Sequence, residues 1–213
     1  MWCRKSIILA FATGLSLRLL AESASTNKPA EVLRTASTTL NATVQGGEIV
    51  GQEQQRRVLA TAGGRRLMLV VPQGFRVDIS SPDKVMLVNR DYSCVLSFRI
   101  AAPGSEATAS LNADVCRAWL FARLGDLRIQ EEFSMAAANG NGPAFDLLCK
   151  VNGVARASRV AYIASPVGIL EFNSLSSPEQ SEAAKASLRF LLRSFRISDV
   201  NGKLETSRPR SDS

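Results

Sequence analysis

The segment from Val160 to Ile197 constrains the fold of this chain most, because its pattern is typical of a strand, a helix and a short closing strand. Ser177 is a good helix cap, Pro178 suits the first helical position, and Gln180 stands where a capping box has its reciprocal partner. Apolar residues then recur at helical spacing, at Ala184, Leu188, Leu191 and Phe195. One face of this helix must therefore pack on a sheet, for which 168–173 supplies a strand.

Residues 1–24 are typical of a secretory signal peptide. Arg4 and Lys5 precede a mostly apolar run over 6–20, and small residues follow it. The apolar run is shorter than the about 20 residues that cross a bilayer, and Arg18 interrupts it. We therefore expect the segment to be cleaved and the chain to be exported, to the periplasm or the cell exterior, without a transmembrane span.

The rest of the chain divides into a linker, a domain and a tail. Residues 25–55 are rich in Ala, Thr, Ser, Gln and Gly and contain no aromatic residue, which predicts a flexible linker. Residues 56–198 carry the strand and helix patterns, and their number fits a single domain. Residues 199–213 are mostly polar, so we expect a disordered tail.

Short strand patterns and glycine turns fill the predicted domain. Gly63-Gly64 and Asn152-Gly153 predict two-residue hairpin turns, and residues 93–100 alternate between apolar and polar. A helix over 112–124 separates two groups of strands. Its inward face is predicted at Val115, Trp119 and Ala122. This order indicates an α+β fold, with a mostly antiparallel sheet and two packed helices.

Two motifs stand near the ends of the domain. One is a proline-led turn with an aromatic residue, Val71-Pro72-Gln73-Gly74-Phe75, and the other is a Phe-Arg strand after the last helix, at 191–197. With the element order, they resemble the Mog1/PsbP-like superfamily of α/β/α sandwiches over 57–197. The resemblance implies that fold and a non-catalytic binding or assembly role, as in photosystem extrinsic subunits, a Ran-binding protein and envelope proteins. No partner-binding motif of these subgroups is present.

The chain contains no histidine. This excludes Ser-His-Asp and Cys-His catalysis and any histidine-ligated metal site. No P-loop, dinucleotide glycine fingerprint, Cys-x-x-Cys pair or EF-hand loop occurs either. We therefore assign no catalytic, cofactor-binding or metal-binding residue, and we expect no cofactor.

Three cysteines remain after the predicted cleavage, Cys94, Cys116 and Cys149. They fall on predicted apolar positions, so one interpretation treats them as small buried hydrophobic residues. The alternative is a disulfide between Cys94 and Cys149 on neighbouring strands, with Cys116 left free.

Basic residues outnumber acidic ones, and the predicted cleavage lowers the net charge from +7 to +5. The candidate anion-binding residues are Arg57, Arg66, Arg156 and Arg159. A basic face that binds an anionic polymer or nucleic acid also needs exposed aromatic residues, and the chain has two Trp and two Tyr. A solvated surface is the alternative, and we expect no specific nucleic-acid binding.

These features favour an exported, monomeric, non-catalytic domain that binds an unknown protein or envelope partner. The alternative is a small secreted hydrolase that uses converging carboxylates, for which Asp126, Asp146 and Glu171 are the candidates. Carboxylates that meet in a cleft would favour the hydrolase. A flat sheet face, or a groove lined by apolar residues and arginines, would favour the binding domain.

Overall fold

The computed structural model describes residues 39–50, 53–138 and 140–199. The predicted signal peptide, the first part of the predicted linker and almost all of the predicted tail lie outside these residues. No helix in the described part of the chain combines the length and the hydrophobicity that crossing a membrane requires.

The described residues form eleven strands and three α-helices. The strands are β1 (Asn41–Val50), β2 (Glu53–Ala62), β3 (Arg65–Val70), β4 (Phe75–Asp78), β5 (Lys84–Asn89), β6 (Cys94–Pro103), β7 (Leu127–Ala137), β8 (Gly140–Val151), β9 (Val154–Ser165), β10 (Gly168–Ser176) and β11 (Arg196–Asp199). The helices are α1 (Ser105–Ala109), α2 (Ala113–Leu124) and α3 (Ser181–Ser194).

Seven strands form the larger sheet, in the order β4-β5-β6-β10-β9-β8-β7, and every neighbouring pair is antiparallel. Helix α3 packs on one face of this sheet, and helix α2 packs on the other. The predicted α+β class, with a mostly antiparallel sheet, is therefore confirmed. Helices on both faces give the α/β/α arrangement that the resemblance implies.

Four strands form a second sheet, in the order β1-β2-β3-β11. Gly63 and Gly64 join β2 to β3 with φ of 54° and 72°, the left-handed conformations that a tight hairpin turn needs and glycine adopts without strain. The predicted closing strand is present as β11, which pairs with β3. It joins this second sheet, which the sequence analysis did not predict.

Strand β1 corrects the prediction of a flexible linker over 25–55. The described part of that segment forms β1 and the start of β2, paired from Asn41 opposite Thr61. Most side chains of β1 that can be described are exposed, and Leu40 just before the strand is buried. An edge strand held mainly by backbone hydrogen bonds carries a weak hydrophobic pattern, so its composition resembles that of a linker.

The predicted packing of the last helix on a sheet is confirmed. The predicted apolar face is buried at Ala184, Leu188, Leu191 and Phe195. Phe195 lies just after α3, and its ring centroid is 5.5 Å from that of Phe98 on β6 and 5.1 Å from that of Phe172 on β10. Phe172 belongs to the strand over 168–173 that was predicted to supply a surface for this face. These three rings join the helix to the centre of the larger sheet.

The start of this helix differs from the prediction. Ser177 precedes a short 3-10 turn, Pro178–Gln180, and the α-helix begins at Ser181. The side chain of Ser177 makes no capping hydrogen bond to the backbone of this turn. The tighter turn satisfies one of the first backbone N–H groups itself, since Gln180 donates to the carbonyl of Ser177.

Helix α2 begins and ends as predicted, but its buried face is displaced along the sequence. The buried residues are Cys116 and Leu120, whereas Val115 and Trp119 are half-buried and Ala122 is exposed. Cys116 acts as a small apolar residue in this helix. The buried face is therefore one position further along the helix than the predicted set of Val115, Trp119 and Ala122.

We expect Leu188→Ala to lower the free energy of unfolding by about 2–5 kcal/mol, because it leaves a cavity under α3. Leu188 is fully buried, and the neighbouring Arg189 is exposed on the same helix. Arg189→Ala is therefore the matched control, with an expected change within about 0.5 kcal/mol. Urea unfolding monitored by circular dichroism measures both variants, and equal effects would contradict the packing described here.

Candidate binding site

The three cysteines are buried and free, as the first interpretation holds, and the alternative disulfide between Cys94 and Cys149 is absent. Cys94 lies in the core under α3, and Cys149 lies in the core under α2. Strands β10 and β9 stand between their strands, which places the two Cα atoms about 14 Å apart, beyond the about 7 Å that a disulfide spans. Burial raises the pKa of the Cys94 and Cys116 thiols to about 12.

The three carboxylates of the hydrolase alternative do not converge. Asp146 is buried on the α3 face of the larger sheet, where it pairs with Lys185, whereas Glu171 is buried on the α2 face, where it pairs with Arg123. The side chain of Asp126 is 75% exposed. The sheet therefore separates the two buried carboxylates, and they cannot act on one bond from two sides.

Glu171 is held by two arginines. Arg99 Nη2 lies 2.9 Å from Glu171 Oε2, and Arg123 Nη1 lies 2.6 Å from Glu171 Oε1. Burial alone would raise the pKa of this carboxyl, but the charges of Arg123 and Arg99 outweigh it and hold the pKa below its ordinary value. Arg99 comes from the adjacent strand β6 and Arg123 from α2, so the carboxylate ties that helix to the sheet.

Asp146 accepts a bidentate pair of hydrogen bonds from Arg159, with both N–O distances 2.6 Å. Lys185 on α3 lies 2.9 Å from the same carboxylate, and the Arg159 guanidinium stacks 4.7 Å from the centroid of Phe133. Burial would raise the pKa of Asp146, and its hydrogen bonds with Arg159 and Lys185 lower it overall. Arg159, a candidate anion-binding residue, is therefore committed to an internal ion pair.

The four candidate anion-binding arginines do not come together. Arg57 and Arg66 lie on the outer face of the smaller sheet, and their rows are about 13 Å apart along the strands. Arg156 and Arg159 lie on opposite faces of β9, since the two positions have opposite parity in the strand. These four residues therefore do not share the single basic face that the anion-binding interpretation requires.

A different set of residues forms a groove of about 850 Å³. It lies between the exposed side of α3, the start of β2 and the turn that connects β3 to β4. Three of its eleven described lining residues are arginines and none is acidic. The arginines are Arg56, Arg76 and Arg90, and the apolar lining is formed mainly by Val71, Pro72 and Phe190. Phe190 is 45% exposed, although most apolar residues of α3 are buried.

Local contacts fix the three arginines on separate elements. Arg56, on β2, donates a hydrogen bond to the carbonyl of Phe75, at the start of β4. Arg76 stacks on Tyr92, with 4.9 Å from the guanidinium carbon to the ring centroid. The backbone N–H of Arg90 donates to the carbonyl of Gly74 across 3.1 Å. The guanidinium groups of Arg56 and Arg76 are therefore held by neighbouring groups, and the backbone of Arg90 is tied to the turn at Gly74.

The loop that carries Arg90 and Tyr92 is held by Asn89. The Asn89 side chain accepts a hydrogen bond from the backbone of Cys94 and donates one to Ser93 Oγ, both at 2.9 Å. Tyr92 has φ of 61°, a left-handed conformation that costs a residue with a side chain about 1–2 kcal/mol. Backbone strain of this kind concentrates at functional sites.

No protein-family model and no curated protein matches this chain. Among solved structures, the chain is similar to cyanobacterial PsbP (CyanoP) from Synechocystis sp. PCC 6803, with 15% identity, a TM-score of 0.52, and 71% of this chain and 98% of that chain covered. This likeness shows the fold alone, and the chain has the Mog1/PsbP-like fold that its motifs resemble.

Two further structures match less well. The immunity protein TplEi of the type VI secretion system of Pseudomonas aeruginosa has 9% identity and a TM-score of 0.37, with 67% of this chain and 72% of that chain covered. LpqN, involved in cell envelope biogenesis of Mycobacterium tuberculosis, has 11% identity and a TM-score of 0.34, with 74% and 92% covered.

The sequence analysis did not identify Arg76, Arg90 or Phe190 as site residues. One signal for Phe190 is present in the sequence, because it is a large apolar residue outside the stripe that α3 buries. The turn motif at 71–75 also marks the site, since four of its five residues line the groove. The two arginines carry no local signal, because the groove forms only when distant elements meet.

We expect Glu171→Gln to lower the free energy of unfolding at pH 7 by about 3 kcal/mol, the lower end of the range for breaking a buried ion pair. The lower end applies because the side chains of Arg99 and Arg123 are still 33% and 29% exposed to solvent. Glu131→Gln, at an exposed position on β7, is the control with little expected effect.

The loss of unfolding free energy caused by Glu171→Gln should become smaller as the pH falls. A lowered carboxyl pKa stabilises the fold fully above the unfolded-state pKa of about 4.3, and this contribution is lost as the pH falls through the folded-state value. Urea unfolding of both proteins from pH 7 to about pH 3 measures the difference. A deficit that stays constant over this range would contradict the assignment of a charged Glu171.

Proposed function

We propose that this chain is an exported, non-catalytic domain that binds a protein partner of the cell envelope through the groove beside α3. The observation that carries the proposal is an exposed phenylalanine in a concave surface that also contains three arginines. Aromatic residues and arginine are enriched in protein interfaces and among the residues that dominate binding energy. The signal-peptide pattern at 1–24 supports the exported location.

The groove is of one of the two kinds that would favour a binding domain, because apolar residues and arginines line it. Its volume lies within the range typical of ligand pockets, about 300–1,000 Å³, and its lining combines apolar side chains with a few polar ones. The hydrolase alternative needs two carboxylates at one cleft, and its candidate residues lie apart. A binding role therefore agrees better with the geometry than that alternative does.

A capture experiment with two matched variants tests the role of the groove. The tagged chain, its Phe190→Ala variant and its Phe121→Ala variant are used to capture proteins from the exported fraction of the source cells. Phe121 is the control because it is 46% exposed on α2, at the opposite face of the larger sheet. Truncation of a central aromatic residue in an interface costs about 2 kcal/mol or more, which weakens binding about 30-fold.

We expect the same partner to be captured by the original chain and by Phe121→Ala, and to be lost with Phe190→Ala. Circular dichroism of the three proteins verifies that each is folded. A partner that Phe190→Ala captures with unchanged yield would show that the groove is not the binding site.

A further inference from the structure

Resting on the proposed function, we infer that the occupant of the groove is an acidic, extended peptide segment of the partner, with one apolar anchor residue among its carboxylates. The positive charge of the groove favours an acidic occupant. Arg56, Arg76 and Arg90 reach the groove from three different elements, and none of its described lining residues is Asp or Glu. An occupant with negative groups would complement this potential, and a cationic one would be repelled.

The position of Arg76 also favours a carboxylate as its partner. Its guanidinium carbon lies over the ring of Tyr92, 4.9 Å from the centroid, and this cation–π contact restricts where the charged group can lie. Tyr92 holds this place with a left-handed backbone, in a loop held by the Asn89 side chain. A fixed guanidinium loses less conformational entropy when it binds a carboxylate in a bidentate manner.

The size and the apolar side of the groove favour a peptide over other anions. A free phosphate would occupy a small part of about 850 Å³ and would leave the apolar side of the groove, at Pro72 and Phe190, without a contact. An anionic polymer would need a basic track that continues beyond the groove. Arg57 and Arg66 do not provide one, because they lie on the outer face of the smaller sheet.

Acidic motifs are bound by arginine clusters in several recognition domains, and an apolar residue in the motif adds affinity through burial. An extended segment with both features would place carboxylates at Arg56, Arg76 and Arg90 and its anchor against Phe190.

Fluorescence polarisation with synthetic peptides tests the inference. The probe is a short labelled peptide of Glu and Asp residues with one central Phe, and its control has Gln and Asn at the acidic positions. We expect the acidic peptide to bind at least tenfold more tightly, and to lose affinity as the ionic strength rises. Arg76→Gln and Arg90→Gln should each weaken its binding about tenfold.

Matched variants distinguish binding in the groove from nonspecific attraction to the positive charge of the protein. Arg128→Gln removes an exposed arginine on β7, at the opposite edge of the larger sheet, and should leave binding unchanged. Tyr92→Leu should weaken binding severalfold by removing the ring under Arg76, whereas Tyr92→Phe keeps the ring and should bind like the original chain. This rescue would not occur if Tyr92 acted through its hydroxyl.

Several results would overturn the inference. One is equal binding of the acidic and the amide peptide, and another is unchanged binding by Arg76→Gln and Arg90→Gln. A third is binding of heparin or of phosphatidylglycerol vesicles through these arginines when the peptide does not bind, which would assign the groove to a polymer or a membrane. In each case the capture experiment with Phe190→Ala still decides separately whether the groove binds a protein.

Discussion

Burial of both faces of β10 is the constraint on which the rest of this structure depends. This strand is central in the larger sheet, and Leu170 and Phe172 face one side while Glu171 faces the other. A strand buried on both sides needs a covering element on each. Helix α3 covers Phe172 and helix α2 covers Glu171, so the three-layer arrangement follows from this one strand.

The same strand explains why the α2 side contains a buried ion pair. Glu171 cannot be buried as an isolated charge, because desolvation of a carboxylate is costly. Arg99 supplies one cation from the adjacent strand, and Arg123 supplies another from α2. The fold thereby uses Glu171 to position a helix and not for catalysis of the kind that the hydrolase alternative required.

The groove results from the path of the chain on the α3 side of the larger sheet. Helix α3 crosses the larger sheet and then β11 joins the smaller sheet, so the exposed side of the helix lies beside the start of β2 and the turn before β4. Arg56, Arg76, Arg90 and Phe190 meet there. The packed side of α3 provides a rigid support, while strands β2 and β4 supply Arg56 and Arg76 and the loop after β5 supplies Arg90.

Local patterns predicted much of the fold and little of the site. The spacing of Leu188 and Leu191 and the turn at Gly63-Gly64 depend on neighbours in sequence, and both predictions agree with the structure. Strand β1 escaped prediction because an exposed edge strand has a weak pattern. Arg76 and Arg90 were not predicted because their place in the groove depends on elements that are distant in sequence. Arg57 and Arg66, which belong to clusters of arginines in the sequence, do not line the groove.

The central claim, that the groove beside α3 binds an acidic segment, is tested most directly by nuclear magnetic resonance of the isotope-labelled protein during titration with the acidic peptide. We expect the chemical shifts to change at the backbone amides of residues 55–56, 73–76, 90–92 and 186–190, while those of α2 stay constant. Changes centred on α2, or on the outer face of the smaller sheet around Arg57 and Arg66, would contradict the claim.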